Sequence, residues 1–166
     1  MAKRKPIVLL DGGRMGQLPS GDTLETPAQA LILDLVSNAA TILPIGTPVI
    51  NGIGSGAGGV FAARANAIGT AKAIGLVAVA QLAPNTSGPI LAAGPLTATV
   101  AQWNAVIIGA SNGLNPGTDY FLDYSQVGKL LPTAPEPARE GDFIVKIGTA
   151  LTQTTLLVNI GEAIAL

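Results

Sequence analysis

The stretch "NPGTDYFLDYSQVGKL", residues 115–130, predicts one short strand held between two turns. "NPG" places proline at the second position of a turn and glycine at the third, an arrangement suited to a type II turn, and "SQVGK" gives a second turn signal. The intervening "TDYFLDY" is rich in the aromatic residues that strands favour. Alternate residues of a strand share a face. One face carries Asp119, Phe121 and Asp123, and the face expected to meet the core carries Tyr120, Leu122 and Tyr124.

Asp119 and Asp123 are the only acidic residues between Asp34 and Glu136, which makes them a candidate carboxylate pair. On a strand, four residues at about 3.3 Å each place the two side chains roughly 13 Å apart. The acid and base of a glycosidase lie about 5 to 9.5 Å apart, and calcium takes about six to eight oxygen ligands. The spacing therefore predicts no catalytic or metal site. We expect both carboxylates to keep one strand face soluble or to meet a neighbouring subunit.

The rest of the chain repeats this pattern of short strands and turns. Strand-like segments alternate with clusters of Gly, Pro, Asn and Ser at roughly 8 to 20 residues, which is typical of β-sandwiches and barrels. The segments are "ALILDLV", "TPVING", "GGVFAARA", "AKAIGLVAVAQL", "GPILAAG", "LTATV", "TDYFLDY", "DFIVKIG" and "TTLLVNI". A parallel α/β fold would need amphipathic helices of about 10 to 15 residues, and none is convincing. The sequence predicts an all-β domain over residues 29–166, a compact sandwich or barrel of short antiparallel strands.

One brief helix is expected in this domain, at "TVAQWNAV". Thr99 and Gln102 have the spacing of a capping box, in which each side chain accepts a hydrogen bond from the other residue's backbone N–H. Trp103, the single tryptophan of the chain, is expected to be a packing anchor.

Residues 1–28 differ from the rest and are predicted to form an extended N-terminal arm. Only "IVLL" is a continuous apolar run, so one short strand is expected around Ile7 to Leu10, and "DGG", "LPSGD" and "TP" are turn signals. The arm holds four of the nine basic residues of the chain, which are Lys3, Arg4, Lys5 and Arg14. These four residues indicate either a solvated tail or a segment that docks onto an acidic partner surface.

The composition is unusually poor in charge. Charged residues make up 11% of the chain, against about 25% in ordinary soluble domains, and none occurs from Ala73 to Thr118. Net and mixed surface charge oppose association, so the pattern favours a surface covered by copies of the chain or by a larger assembly. The alternative is an ordinary soluble β-domain rich in surface Thr, Asn and Gln.

Several classes of function are disfavoured by composition. The net charge of −1 argues against nucleic-acid binding, which needs a basic face. Apolar runs reach about eight residues, against roughly 20 needed to cross a bilayer, so no membrane span is expected. The chain has no Cys and no His, which removes disulfides, thiolate chemistry, the usual zinc sites and any His-dependent triad. No signal peptide is evident, and a cytoplasmic site of synthesis is expected.

Two further motifs contain residues that could form a binding or catalytic site. "GSGAGG" fits G-x-G-x-x-G at Gly54, Gly56 and Gly59, but no acid follows about 20 residues on to hold a ribose, so a hairpin loop is expected instead. The acids of "PTAPEPAREGD" are predicted to lie in a solvated loop; they are Glu136, Glu140 and Asp142. A lysine base for a Ser or Thr nucleophile remains formally open, and the candidates are Lys72, Lys129 and Lys146. The sequence predicts no catalytic, cofactor or metal site and therefore no enzyme.

The C-terminal two thirds resemble a β-module found in structural proteins of tailed bacteriophages. The matching motifs are a "G-x-L-T" strand, an "A-Q-W-(D/N)-A-V" helix, a "L-x-P-G-x-x-Y-F/Y-L" strand, a "G-(K/R)-L" turn and a "V-G-x-A-L-(S/T)-x-T-x-L" hairpin. They lie at residues 94–97, 101–106, 114–122, 128–130 and 147–156, with Ile147 where valine is more usual. "GQLPSGDTL" is similar to linkers in phage fibre and head-decoration proteins. The "GIGSGAGG" loop falls outside the pattern.

This resemblance implies a non-enzymatic virion protein. The expected function is capsid decoration, in which a homotrimer binds the major capsid protein on the outer surface of the head after assembly in the host cytoplasm. Lys3, Arg4, Lys5 and Arg14 are then the candidate capsid-contact residues. A head-fibre, tail-fibre or baseplate component involved in host attachment is the alternative. A small sugar-active or nucleotide-dependent enzyme is a third hypothesis, opposed by the site analysis.

Overall fold

The computed structural model describes residues 7–10, 14–17, 30–52, 58–135 and 141–165, with backbone alone for the first two ranges. The helices are α1 (Ile68–Ala71) and α2 (Val100–Val106). The strands are β1 (Ile7–Leu10), β2 (Arg14–Gln17), β3 (Leu31–Ser37), β4 (Leu43–Pro44), β5 (Pro48–Asn51), β6 (Gly59–Ala62), β7 (Ala73–Val77), β8 (Gln81–Leu82), β9 (Ser87–Thr97), β10 (Asp119–Leu122), β11 (Leu130–Leu131), β12 (Phe143–Ile144), β13 (Lys146–Ala150), β14 (Thr155–Asn159) and β15 (Ile164–Ala165).

The main sheet has nine strands in the order β11-β10-β13-β14-β9-β3-β6-β5-β7, and β7 pairs again with β9. That second pairing closes β9, β3, β6, β5 and β7 into a barrel, and the remaining four strands extend the sheet from β9. Closure depends on the length of β9, whose 11 residues hold β3 on one edge and both β7 and β14 on the other. Gly75 of β7 permits the close approach, because a Cβ there would lie 2.8 Å from the carbonyl oxygen of Leu91.

Two apolar clusters form the core. The smaller cluster lies among the barrel strands and comprises Leu43, Val49, Val60, Val77, Leu82 and Ile90. The larger cluster joins the barrel to the sheet extension and includes Trp103, Tyr120, Leu122, Leu130, Ile147 and Leu156. Burying this much aliphatic and aromatic surface supplies the main driving force for folding.

Helix α2 packs against the larger cluster through Trp103 and Val106. Gln102 N donates to Thr99 Oγ1 at 3.2 Å and Thr99 N donates to Gln102 Oε1 at 2.8 Å, which confirms the predicted capping box. Trp103 is fully buried, and its indole Nε1 donates to the carbonyl of Thr154 at 2.9 Å. The indole therefore fastens the helix to the β13–β14 turn, as expected of a packing anchor.

The all-β class and the helix at α2 are confirmed, and the barrel is closed. The predicted strand "GGVFAARA" contains β6 (Gly59–Ala62), which pairs antiparallel with β5 in the expected hairpin. Three details differ. The one-turn helix α1 was not expected, the pair β3–β6 is parallel, and β1, found at Ile7–Leu10 as predicted, has an unexpected partner in β2. The division at residue 28 stays a prediction.

Candidate functional site

The predicted capsid-contact residues of the arm lie largely outside the described residues. Lys3, Arg4 and Lys5 precede the first described strand, and Arg14 is the first residue of β2, where only the backbone is described. The assignment of these four residues to capsid contact therefore stays a prediction.

Asp119 occupies the exposed position that its strand pattern predicts. Lys146 Nζ lies 2.8 Å from Asp119 Oδ1, and Thr149 Oγ1 donates to the same oxygen at 2.6 Å. These three residues sit on the neighbouring strands β10 and β13, in which Asp119 pairs with Thr149. The hydrogen bond from Lys146 and then that from Thr149 lower the pKa of Asp119 below its ordinary value of 3.8, because both favour the carboxylate. The cluster fastens two strands at the surface.

The expectation that Asp123 shares a solvated face with Asp119 was wrong. Strand β10 ends at Leu122, and the Asp123 side chain is only 1% exposed. Its Oδ1 accepts from the backbone N–H of Ser125 at 3.1 Å, and its Oδ2 accepts from the N–H of Gln126 at 2.7 Å and from Ser125 Oγ at 2.8 Å. The carboxylate replaces backbone acceptors in the turn after the strand, so its role is structural.

The aromatic face of this strand lies as predicted. Tyr120 and Leu122 are buried in the large cluster, and Tyr124 packs partly buried against it. The preceding turn is closed by a hydrogen bond from Thr118 N to the carbonyl of Asn115, and Gly117 has φ +79°, the left-handed value that a type II turn requires at its third position. Tyr120 Oη accepts from Asn115 N at 2.9 Å, which ties the strand to that turn.

Asp142 also departs from expectation. The predicted solvated loop holds Glu136 and Glu140 outside the described residues, but Asp142 is only 6% exposed. Its Oδ2 is buried without a hydrogen-bond partner among the described residues, and the same holds for Arg64 Nε and Thr47 Oγ1. The carboxyl group of Asp142 is therefore buried by the fold, and not in a solvated loop as predicted.

The three candidate lysine bases are dispersed. Lys146 pairs with Asp119, and Lys129 Nζ donates to the carbonyl of Ala105 in the last turn of α2, a position where a cation is favourable. Lys72 is exposed and lines a cavity of about 370 Å³ with Glu162. None of these contacts joins a lysine to a serine or threonine hydroxyl, so the described geometry builds no nucleophile–base pair.

Other concave or ligating features are modest. A cavity of about 230 Å³ is lined by residues 108–113, Asn115, Tyr120 and Pro132, without a charged side chain. Among the described residues, no three acidic side chains converge as a metal site would require. Gly54 and Gly56 of the glycine-rich loop lie outside the described residues, and Gly59 begins β6. Within the described part of the chain, no helix is long and apolar enough to cross a bilayer.

The most distinctive surface is the outward face of the sheet extension, which sequence reasoning did not locate. Asp119, Thr149, Leu157 and Pro95 are opposite one another on β10, β13, β14 and β9, so they form one row across four strands that is charged at its β10 end. Leu157 is 39% exposed and Pro95 is exposed. The signal was present in the alternation of "TLLVN", whose Leu156 and Val158 are buried, but only strand order shows which rows adjoin.

Taken together, these features define an all-β protein with a closed barrel and a sheet extension. No protein-family model matches the chain, and no curated protein matches it.

Proposed function

We propose that this chain is a non-enzymatic structural protein of a tailed-phage virion, and that it decorates and stabilises the capsid as an oligomer. The observation that carries the proposal is the low charge of the chain, together with Leu157 and Pro95, which are exposed side by side on the sheet extension. Exposed apolar sheet surface favours association with other protein surfaces. The resemblance of the sequence motifs to phage virion modules, which are commonly trimeric, supports the choice of a tailed-phage virion as the assembly.

Self-association through the row that contains Leu157 and Pro95 has a direct test. Leu157→Lys places a charge at the centre of the row and opposes association, whereas Ile164→Lys alters an equally apolar residue that is 62% exposed on β15. Native mass is measured by light scattering at micromolar concentration. We expect a trimer for the unmodified chain and for Ile164→Lys, and a monomer for Leu157→Lys. A monomeric unmodified chain, or a trimeric Leu157→Lys variant, contradicts the assignment of this surface.

Capsid binding is tested through the arm. Deletion of Met1 to Thr26 removes Lys3, Arg4, Lys5 and Arg14 but leaves the barrel strands intact. We expect a folded oligomer that no longer decorates heads, because extended arms bind by adding backbone hydrogen bonds to a partner's sheet edge. Heads are mixed with labelled protein and imaged by electron microscopy. Full decoration of heads by the truncated protein would show that the arm is not needed for capsid binding. Label confined to tails would favour the fibre or baseplate alternative.

A further inference from the structure

Strand β3 has one edge that is only partly paired. Along one edge it pairs with β9 from Leu31 to Val36. Along the other edge it pairs with β6 at two positions, where Val36 meets Gly59 and Ser37 meets Val60. Residues 31–35 therefore have no strand partner on the second edge within the described part of the chain. We call this edge, over residues 31–35, the open edge.

The side chains along the open edge are apolar and exposed. Leu31 is 56% exposed, Ile32 54% and Leu33 37%, although β3 belongs to the closed barrel. An exposed apolar strand edge is a template for a further strand, and native proteins cover or charge such edges. Asp34 is the single charged residue of β3, and the other four residues of the open edge are apolar. One carboxylate therefore gives little protection against the addition of a further strand.

We propose that strand β1 of the same chain, which in the structure pairs with β2 in a separate two-stranded sheet, adds to this open edge and extends the barrel sheet as β3-β1-β2. Strand β1 is the apolar run "IVLL", whereas β2 is "RMGQ". One edge of β1 is paired with β2, with Ile7 opposite Gln17 and Leu10 opposite Arg14, which leaves its other edge for β3. The apolar strand thus lies beside the apolar open edge, and the polar strand lies outside.

The length of the connection makes the chain's own β1 the favoured occupant. Twelve residues, 18–29, separate Gln17 from Ala30, and they span up to about 40 Å when extended. A segment on so short a tether has an effective concentration on the order of millimolar, far above that of a second copy in dilute solution. In the sequence, Pro6 alone separates β1 from the basic residues Lys3, Arg4 and Lys5, whose charge is opposite to that of Asp34.

Strand addition would cover the open edge with β1, and the outer edge of β2 would remain for the strand addition to a capsid partner proposed above. The inference does not depend on the proposed function, because it rests on strand pairing and exposure within one chain. An isolated two-stranded hairpin is marginally stable in water, so docking on β3 also supplies the support that the β1–β2 hairpin lacks.

Trypsin cleavage after Arg14, within β2, reports docking, because a strand held in a sheet is cut only when it opens. The matched variants are Ile32→Gln on the open edge and Ile42→Gln in the loop before β4, at residues that are 54% and 53% exposed. Neither substitution adds a tryptic site. Cleavage after Lys3 and Arg4, which precede the strand, serves as the internal reference, and loss of residues 1–14 is followed by mass spectrometry.

We expect slow cleavage after Arg14 in the unmodified chain and in Ile42→Gln, and cleavage about tenfold faster in Ile32→Gln, which corresponds to about 1.4 kcal/mol of docking free energy. Circular dichroism establishes that both variants keep the barrel. Equal cleavage rates in the two variants, or cleavage of the unmodified chain as fast as that of a peptide of residues 1–20, would overturn the proposal. Slow cleavage at a protein concentration of about 100 μM that becomes fast at about 1 μM would overturn the proposal, because it would show that the docked arm belongs to a neighbouring copy.

Discussion

Replacing Asp123 by alanine removes the acceptor for an entire turn. The carboxylate receives two backbone N–H groups, from Ser125 and Gln126, and the hydroxyl of Ser125. The turn also carries structural contacts, because Asp123 N donates to the carbonyl of Lys129 and the Asp123 carbonyl accepts from Ala65 N. In Asp123→Ala the side-chain acceptors are lost while the backbone donors stay in place, next to a side chain that was 1% exposed.

The expected loss follows from these contacts. Each hydrogen bond to a charged group contributes about 1.5 to 3 kcal/mol, and because Ser125 and Gln126 are exposed residues, water can replace the carboxylate at their backbone donors. The two amides share one carboxylate, so their losses do not simply add. We expect Asp123→Ala to lower the free energy of unfolding by about 2 to 3 kcal/mol, a considerable part of the stability of an ordinary domain. Asp123→Asn keeps one acceptor oxygen and should lose about half as much.

Urea denaturation at pH 7, followed by tryptophan fluorescence, measures these differences, since Trp103 is buried in the large cluster. Asp119→Ala is the matched control: it removes the other carboxylate of the same segment, at a side chain that is 43% exposed, and should cost clearly less than Asp123→Ala. The reasoning is refuted if the two alanine variants unfold at the same urea concentration, or if Asp119→Ala is the less stable of the two.

Two further predictions concern the sheet extension. Gly148→Ala should lower the free energy of unfolding by about 3 kcal/mol in the same urea assay, because its Cβ would lie 2.3 Å from the carbonyl oxygen of Leu157 on the paired strand. Gly69→Ala is the control: open space surrounds Gly69, so this variant should be neutral or slightly stabilising. Equal effects of the two substitutions would contradict the strand register. Because the folded pKa of Asp119 is lowered below 3.8, the unfolded chain binds more protons there, so the contribution of Asp119 is present above pH 3.8 and is lost as the pH falls through the folded pKa. Asp119→Asn should therefore flatten the pH dependence of stability below about pH 4, and an unchanged acid profile would show that the ion pair does not act on stability.

Local features of the sequence predicted much of this fold. The turn at residues 115–118, the capping box of α2 and the burial of Tyr120 and Leu122 were all predictable, because each depends on residues within a few positions of one another. Glycine at a left-handed turn position, a hydroxyl three residues before an amide and alternation along a strand are local constraints. The same local reading placed Asp123 wrongly, because it continued the strand to Tyr124, two residues past the end of β10 at Leu122, whereas Asp123 belongs to the turn that follows.

Only the tertiary structure decided how the strands meet. Closure of the barrel by β9, the parallel pairing of β3 with β6, the outward row through Leu157 and the open edge of β3 all depend on contacts between residues far apart in sequence. Alternation shows that a strand has two faces, but strand order decides which face meets the core and which edge stays unpaired. The sequence by itself therefore determined an all-β chain poor in charge and its turns, and the packing of distant strands determined which surfaces and which strand edge are exposed.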